Sequence, residues 1–365
     1  MEDKHVKEEN LQALREKIDR IDDQVLDCLN HRASLVLEIG KIKKQEQRKF
    51  HVLEREEAIY QRLAKNNKGP FPSAAIRPIF REIMSASLSL EKGLRIACLG
   101  PEATFSHSAA IQQFGEAAAY IQTRGVPDIF DEVERGRVDY GVVPIENSTE
   151  GVVNLTLDMF IESGLHICAE VMLEISQCLL SHAQSLDDIR VVYSHPQALA
   201  QCYSWLAKNL PHADIKETFS TAMAAKTAKQ EPHSAAIASE FAAKTYGVPI
   251  VQLRIEDNAQ NYTRFWVIGS TSPGRTGDDK TSLMFSIKDG VGALHDMLEP
   301  FARHSINLTK IESRPFRKKP WEYIFFIDIE GHTDDEPIQR AIDEVADKSQ
   351  FIKVLGSYPK SNRAK

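Results

Sequence analysis

Residues 94–106, LRIACLGPEATFS, run from an apolar stretch through Gly100-Pro101 into a segment bearing Thr104 and Ser106. The apolar run reads as a strand, Gly-Pro as a break, and the hydroxyl residues as the cap of a helix that follows. The same order recurs three times: RVVYS into Ser194-His195-Pro196-Gln197, IKETF into Ser220-Thr221, and AAIAS into Ser239-Glu240. Short strands alternating with helices over 94–272 define an α/β segment. Each Ser or Thr taken singly is a helix cap. Several together, at the C-terminal ends of strands, offer free N–H groups and partial positive charge in the crevice where an open α/β sheet binds its ligand. Two further stretches, YGVVPIENSTEGVV (140–153) and DNAQNYTRFWVIG (257–269), bring Glu146, Asn147, Asn261, Thr263 and Arg264, with no metal-ligand spacing.

On the N-terminal side, residues 8 to about 92 are helical in pattern, interrupted by Gly40 and by Gly69-Pro70-Phe71-Pro72. In the first helix Leu14, Ile18, Ile21, Val25, Cys28, Arg32, Leu35, Ile39 and Ile42 form a heptad seam that calls for a helical partner. Arg32 breaks the apolar run. Glu56 does the same in a second seam (Leu53, Tyr60, Leu63), and Ser87 in a third (Ile76, Phe80, Ile83, Leu90), with Glu91 one turn beyond. A lone seam arginine snorkels to the surface. One polar residue in every seam points instead to a buried polar pocket, because buried polar groups need partners. Arg32 and Lys43 lie three helical turns apart on one face, roughly 16 Å along the axis, a span that two long side chains close around a small dianion. Arg15 is about 25 Å from Arg32 along the same axis. A pocket using both needs a second, antiparallel copy of the helix, hence a dimer.

On the C-terminal side, a polar linker, SPGRTGDD (272–279), precedes the order strand, helix, strand, strand, helix, strand over 280–359. That is the βαββαβ, ferredoxin-like arrangement.

The bulk numbers narrow the function classes. With 365 residues the chain has room for two or three domains, and 42% hydrophobic with 27% charged residues marks a globular protein. A net charge of −7 argues against a nucleic-acid partner. No apolar run approaches a membrane span, and the charged start MEDKHVKEEN lacks the apolar core of a signal peptide. The five cysteines form no CxxC pair, and the twelve histidines show no HExxH spacing. No phosphate-cradling glycine motif is present. The expectation is a cytoplasmic enzyme working without metal or cofactor.

The run LREKIDRIDDQVLDCLNHR, then GKIK, then LEREEAIYQRL, resembles the all-helical, AroQ-class chorismate mutase domain. The resemblance implies that Arg15 (from the partner subunit), Arg32 and Lys43 bind the carboxylates and ether oxygen of chorismate. It further implies that Glu56 accepts the substrate hydroxyl and that Ser87 and Glu91 complete the wall. Val52 replaces an aspartate common in the family, at a position thought to act through its backbone N–H. Glu91 replaces a glutamine, and a glutamate can donate only when protonated. The rearrangement needs no nucleophile; the site compacts the substrate and stabilises developing charge. Arg55 is expected to form a structural ion pair.

GPEATFS, PIENS, SHPQA, STA, AAIAS and NYTRF, in that order, resemble prephenate dehydratase, which implies two periplasmic-binding-protein-like lobes around a small anion. Thr263 is then the donor at the leaving hydroxyl. Thr104, Ser106, Asn147, Ser194, Thr221 and Arg264 are substrate anchors, with His195 a weaker one and Phe265 core packing. The C-terminal pattern, with Gly290-Val291-Gly292-Ala293-Leu294 and Glu312-Ser313-Arg314-Pro315, resembles an ACT domain of the dehydratase type. This implies a phenylalanine effector site built from Gly292, Ala293, Leu294, Glu312, Ser313 and Arg314 at a domain–domain interface. The expected organisation is therefore mutase 8–92, dehydratase 94–272 and ACT 280–359, in a homodimer or higher homo-oligomer. Two narrower readings stand beside it: a monofunctional dehydratase with a helical dimerisation domain, and a non-catalytic sensor of aromatic acids.

Overall fold

The computed structural model describes residues 2–45, 51–287, 290–315 and 323–361, leaving aside the side chains of 2–9. Lys288 and Asp289, read as the end of the first C-terminal strand, and Trp321 and Glu322, read as the start of the third, lie outside the described residues. The chain divides into two compact units, Met1–Val52 with Asn67–Leu94 and Phe114–Ala118, and Leu53–Asn66 with Arg95–Gln113 and Ala119–Lys365.

Three helices open the chain: α1 (Glu2–Gln45), α2 (Leu53–Asn66) and α3 (Ser73–Glu91). In the first unit α3 packs on α1. Gly40, buried in α1, is where α3 comes close: a Cβ there would lie 2.9 Å from Glu91 Cγ. The seam residues Leu14, Ile18, Ile21, Val25, Leu35, Ile39 and Ile42 remain about half exposed. The helix α2 groups with the second unit.

The dehydratase-like segment begins with β1 (Arg95–Leu99), α4 (Phe105–Phe114), β2 (Ala119–Thr123), α5 (Val126–Glu134), β3 (Tyr140–Asn147), β4 (Gly151–Val152), α6 (Asn154–Glu162) and β5 (His166–Glu174). It crosses into a second lobe through β6 (Cys178–Ser181), β7 (Val191–Ser194), α7 (Pro196–Gln201), α8 (Tyr203–Asn209), β8 (Asp214–Glu217), α9 (Thr221–Ala228), β9 (Ser234–Ala238), α10 (Glu240–Tyr246) and β10 (Ile250–Gln252). Then β11 (Tyr262–Gly269) returns to the first lobe, between β3 and β5. The first sheet runs β2-β1-β3-β11-β5 with β4 on β3, and the second β10-β6-β9-β7-β8. Local pattern explains the packing. On α5, Val126, Ile129, Phe130 and Val133 recur at helical spacing, and all four are buried.

The last segment is β12 (Asp279–Ser286), α11 (Ala293–Arg303), β13 (Leu308–Pro315), β14 (Tyr323–Glu330), α12 (Glu336–Lys348) and β15 (Phe351–Pro359), in sheet order β13-β14-β12-β15. Alternation gives this sheet two faces. Leu283, Phe285 and Ile327 pack with Met297, Phe301 and Val345 of the helices. Met284, Ile324, Phe326 and Tyr358 join the core of the first dehydratase lobe, around Phe160, Ile167 and Trp266. The C-terminal sheet is thus docked on the lobe that carries β11. Gly356 of β15 lets the backbones meet, since a Cβ there would overlap the main chain of Ile167 on β5. No helix among the described residues is long and apolar enough to cross a membrane.

Candidate active site

Between the two dehydratase-like lobes lies a cavity of about 260 Å³, lined by both. From the first lobe come Thr104, Phe105, Ser106, Pro144, Asn147, Thr263 and Phe265; from the second, His195, Gln197, Gln201, Phe219, Ser220 and Thr221. Capping explains how several arrive. Thr104 Oγ1 accepts the His107 N–H at 3.3 Å and donates to the Leu99 carbonyl at 2.7 Å. Ser220 Oγ accepts the Met223 N–H at 3.0 Å, and His195 Nδ1 accepts the Gln197 N–H at 3.3 Å, leaving the proton of a neutral ring on Nε2. The N-termini of α4 and α9 therefore face the cavity, whose lining among the described residues includes no lysine or arginine. An anion placed there would be met by helix dipoles and free N–H groups.

Thr263 and Phe265 stand on one side of β11 and line the cavity, and Arg264 between them stands on the other. Arg264 is buried against Glu170 (Nη2 to Oε2, 2.7 Å) and Asp328 (Nη1 to Oδ2, 2.6 Å), and its Nη2 donates to the Tyr358 hydroxyl at 3.1 Å. Lys280 joins Glu170 at 2.8 Å, and Ser282 donates to Asp328. Desolvation works to lower the Arg264 pKa, but the neighbouring Tyr358, Asp328 and Glu170 raise it overall, so it stays charged. The expected anchor is instead an internal bridge between β11 and the C-terminal sheet. Ser194 also leaves the anchor set: it is fully buried, its hydroxyl donating to the Ile237 carbonyl at 2.7 Å, and His195 beside it faces the cavity. Phe265 is buried as expected yet also forms cavity wall.

Asn147 closes the end of β3 and reaches β11. Its Nδ2 donates to Thr263 Oγ1 at 2.9 Å and to Asn261 Oδ1 at 2.8 Å. Asn261 in turn donates to Gln201 Oε1 at 3.1 Å. The sequence reading missed Gln177, Gln201 and Phe219. Gln201 was within reach, one turn after Gln197 on the helix that starts at the cavity. Gln177, with a buried Oε1 lacking a partner among the described residues, carries no local signal.

In the first unit Arg32 Nη1 donates to Ser87 Oγ at 2.6 Å, and the Ser87 hydroxyl donates to the Ile83 carbonyl at 2.6 Å. Glu91 has one buried carboxyl oxygen, Oε2, without a hydrogen-bond partner among the described residues. Burial raises its pKa, and the charge of Lys43 partly offsets that rise. The structure thus brings together Arg32 with Ser87, and Lys43 with Glu91. Arg15 lies on exposed α1, Val52 is half-buried at the end of the first unit, and Glu56 is half-buried on α2 in the second. On α2 the fully buried acid is its neighbour Glu57, which the seam reading passed over.

In the C-terminal segment Gly292 takes a left-handed conformation (φ 80°) to start α11, Val291 before it is fully exposed, Ala293 opens the helix, and Leu294 packs against the core. On β13, Lys310, Glu312 and Arg314 are half-buried while Ile311 and Ser313 between them are exposed. Lys310 pairs with Glu146, and Arg314 with Asp158 at 3.0 Å, so Arg314 is engaged by the dehydratase lobe.

The chorismate mutase type II family matches residues 14–92, the prephenate dehydratase family 96–273 and the ACT domain 281–347. A bifunctional chorismate mutase/prephenate dehydratase of Aquifex aeolicus is 50% identical over 357 residues, covering 97% of this chain and 99% of the relative. The chain belongs to the bifunctional chorismate mutase/prephenate dehydratase family. A member from Stutzerimonas stutzeri is 44% identical over 97% of this chain and 98% of its own. A prephenate dehydratase from Arthrobacter aurescens, solved in complex with L-Phe, superposes with a TM-score of 0.67 at 34% identity, covering 73% of this chain and 90% of that one. Both activities follow from this membership: rearrangement of chorismate to prephenate, and decarboxylating dehydration of prephenate to phenylpyruvate. The monofunctional and non-catalytic readings give way to it.

Proposed function

We propose that the interlobe cavity is where the bifunctional enzyme consumes prephenate, with Thr263 as hydrogen-bond donor to the departing hydroxide. The observation that carries this reading is the Thr263 hydroxyl, lining a cavity between lobes and held at 2.9 Å by Asn147. As the ring carboxylate leaves as CO2, its electron pair enters the ring and expels the hydroxyl. Aromatisation drives the step, so the protein needs only a donor at the leaving group and anchors for two carboxylates. Ser106, Thr221 and the N-termini of α4 and α9 are those anchors, with Thr104 and His195 shaping the loops that hold them.

For the mutase, Arg32 and Lys43 bind the substrate dianion, Glu56 accepts its hydroxyl, and Ser87 orients Arg32. Val52 contributes its backbone N–H, and Glu91 donates to the ether oxygen when protonated. The half-exposed seam of α1 supports a homodimer in which each Arg15 serves the partner's site. Phenylalanine is the proposed effector, taken up around Gly292, Ala293, Leu294, Glu312 and Ser313 where two copies meet, with Arg314 bracing the strand through Asp158. Feedback is then a linkage in which the amino acid prefers one quaternary state. The charged composition supports a cytoplasmic site of action.

The test feeds purified protein chorismate alone, follows prephenate and phenylpyruvate with and without phenylalanine, and repeats this with two variants. Arg32→Ala should lose mutase turnover by at least about a hundredfold while still consuming added prephenate. Thr263→Ala should accumulate prephenate from chorismate. Unchanged phenylpyruvate formation in Thr263→Ala would remove Thr263 from the reaction.

A further inference from the structure

The cleft holds a chain of amide groups whose direction is fixed by unambiguous donors. Asn147 Oδ1 accepts the backbone N–H groups of Thr149 at 3.0 Å and Glu150 at 3.1 Å, together with the Thr149 hydroxyl at 2.6 Å. A backbone N–H only donates, so this end of the amide is the oxygen. The other end must be the NH2 group, and it is the end that meets Thr263 Oγ1 at 2.9 Å and Asn261 Oδ1 at 2.8 Å. Asn261 spends its own NH2 on Gln201 at 3.1 Å, which fixes the next link in the same sense. Inside the protein, then, the Thr263 oxygen is an acceptor, and no hydrogen bond among the described residues uses its proton.

We infer that Asn147 is a positioning residue for the dehydratase: by donating to Thr263 Oγ1 it commits the threonine proton to the cavity and the departing hydroxide. This rests on the reading of Thr263 as the donor given above. A threonine hydroxyl has one proton on a free rotor, which in an unconstrained site turns to the nearest acceptor. Occupying one lone pair with a fixed N–H donor limits where that proton can point before substrate arrives, which is electrostatic preorganisation at a leaving group. Asn147 is only 8% exposed, and its carbonyl oxygen is fully used by the Thr149–Glu150 turn. It therefore has little left to offer a substrate carboxylate, the role its sequence position suggested.

The test measures prephenate turnover by the full-length protein carrying Asn147→Asp. Aspartate keeps an oxygen for the two backbone N–H groups but presents a second acceptor to Thr263, turning the hydroxyl proton away from the cavity. Dehydratase kcat should fall about a hundredfold with little change in KM. Part of the loss should return as pH is lowered into the carboxyl range, once the uncatalysed acid reaction is subtracted, because a protonated aspartate donates again. In a Thr263→Val background, Asn147→Asp should add no further loss, since the two act as one unit. A merely structural role predicts neither the pH recovery nor the non-additivity, and absence of either overturns the proposal, as does wild-type kcat in Asn147→Asp. Should circular dichroism show that Asn147→Asp does not fold, Asn147→Ser decides. Its short hydroxyl can keep the turn but cannot reach Thr263, so kcat should drop about tenfold, the worth of one neutral hydrogen bond, and full activity overturns the proposal. Full activity in Thr263→Val alone would defeat the reading of Thr263 and this inference with it. An inactive Thr263→Val beside a neutral Asn147→Asp would defeat only the role of Asn147.

Discussion

Glu91, proposed as a donor to the substrate ether oxygen, carries a prediction about pH. Its Oε2 is buried without a partner among the described residues, a costly state for a carboxylate and a tolerable one for a carboxylic acid. Burial accordingly raises its pKa, and Lys43 nearby only partly reverses this. If Glu91 donates to the substrate ether oxygen, the active form is the protonated one. That form dominates below the raised pKa and disappears as pH climbs through it. Mutase kcat/KM should therefore decline with rising pH, and Glu91→Gln, a donor at every pH, should flatten the profile. Steady-state rates on chorismate across the pH range check this; a wild-type profile that is already flat would sink the assignment. Gly40 belongs to the same argument, because any side chain there would collide with Glu91 Cγ.

At the scale of the element, β11 divides its work by alternation. Thr263 and Phe265 face the cavity, while Arg264 and Trp266 face the C-terminal sheet, with the guanidinium 5.6 Å from the Trp266 ring centre. Arg264 is held by Glu170 of β5 and Asp328 of β14, both buried. One strand thus ties the interlobe cleft to the C-terminal sheet. Deleting the cation leaves two buried carboxylates without their main partner, a change that costs about 3–5 kcal/mol when a buried pair is broken. Arg264→Met should therefore lower the thermal midpoint of the C-terminal half sharply. Calorimetry of the full-length protein would read it as an early transition. If instead stability is untouched and only the KM for prephenate rises, Arg264 is an anchor after all.

For the whole molecule, the two ends of the chain show different surfaces. The C-terminal sheet has buried one face on the dehydratase lobe and the other under α11 and α12. Contacts from β13 run directly to the cleft lobe: Lys310 pairs with Glu146, next to Asn147, and Arg314 with Asp158 on α6. An effector that moves β13 would be felt at the residue that holds Thr263. Along α1 the apolar seam stays about half exposed, with Ile21 at 56%. If a second copy covers this seam, as proposed, Ile21→Asp should halve the molar mass seen by light scattering. It should also abolish mutase turnover while added prephenate is still converted. An unchanged mass would place the subunit contact elsewhere.

The order of the three segments, the strand–cap–helix repeat and the polar residue in each helical seam were legible in the sequence because they depend on local periodicity and on residue type. So were Thr104, Ser106, Thr221 and Thr263 as cavity residues, since caps and strand ends fall at positions that turn chemistry marks. Other features were decided only by tertiary structure. Arg264 next to Thr263 looked like an anchor, yet a side chain one position along a strand must face the opposite way. What lies on that side, Glu170 and Asp328, comes from strands 94 and 64 residues distant. Ser194 lost its place to His195 for the same kind of reason, a hydrogen bond to Ile237 that no local pattern announces. Periodicity says which residues share a face; only packing says what that face meets.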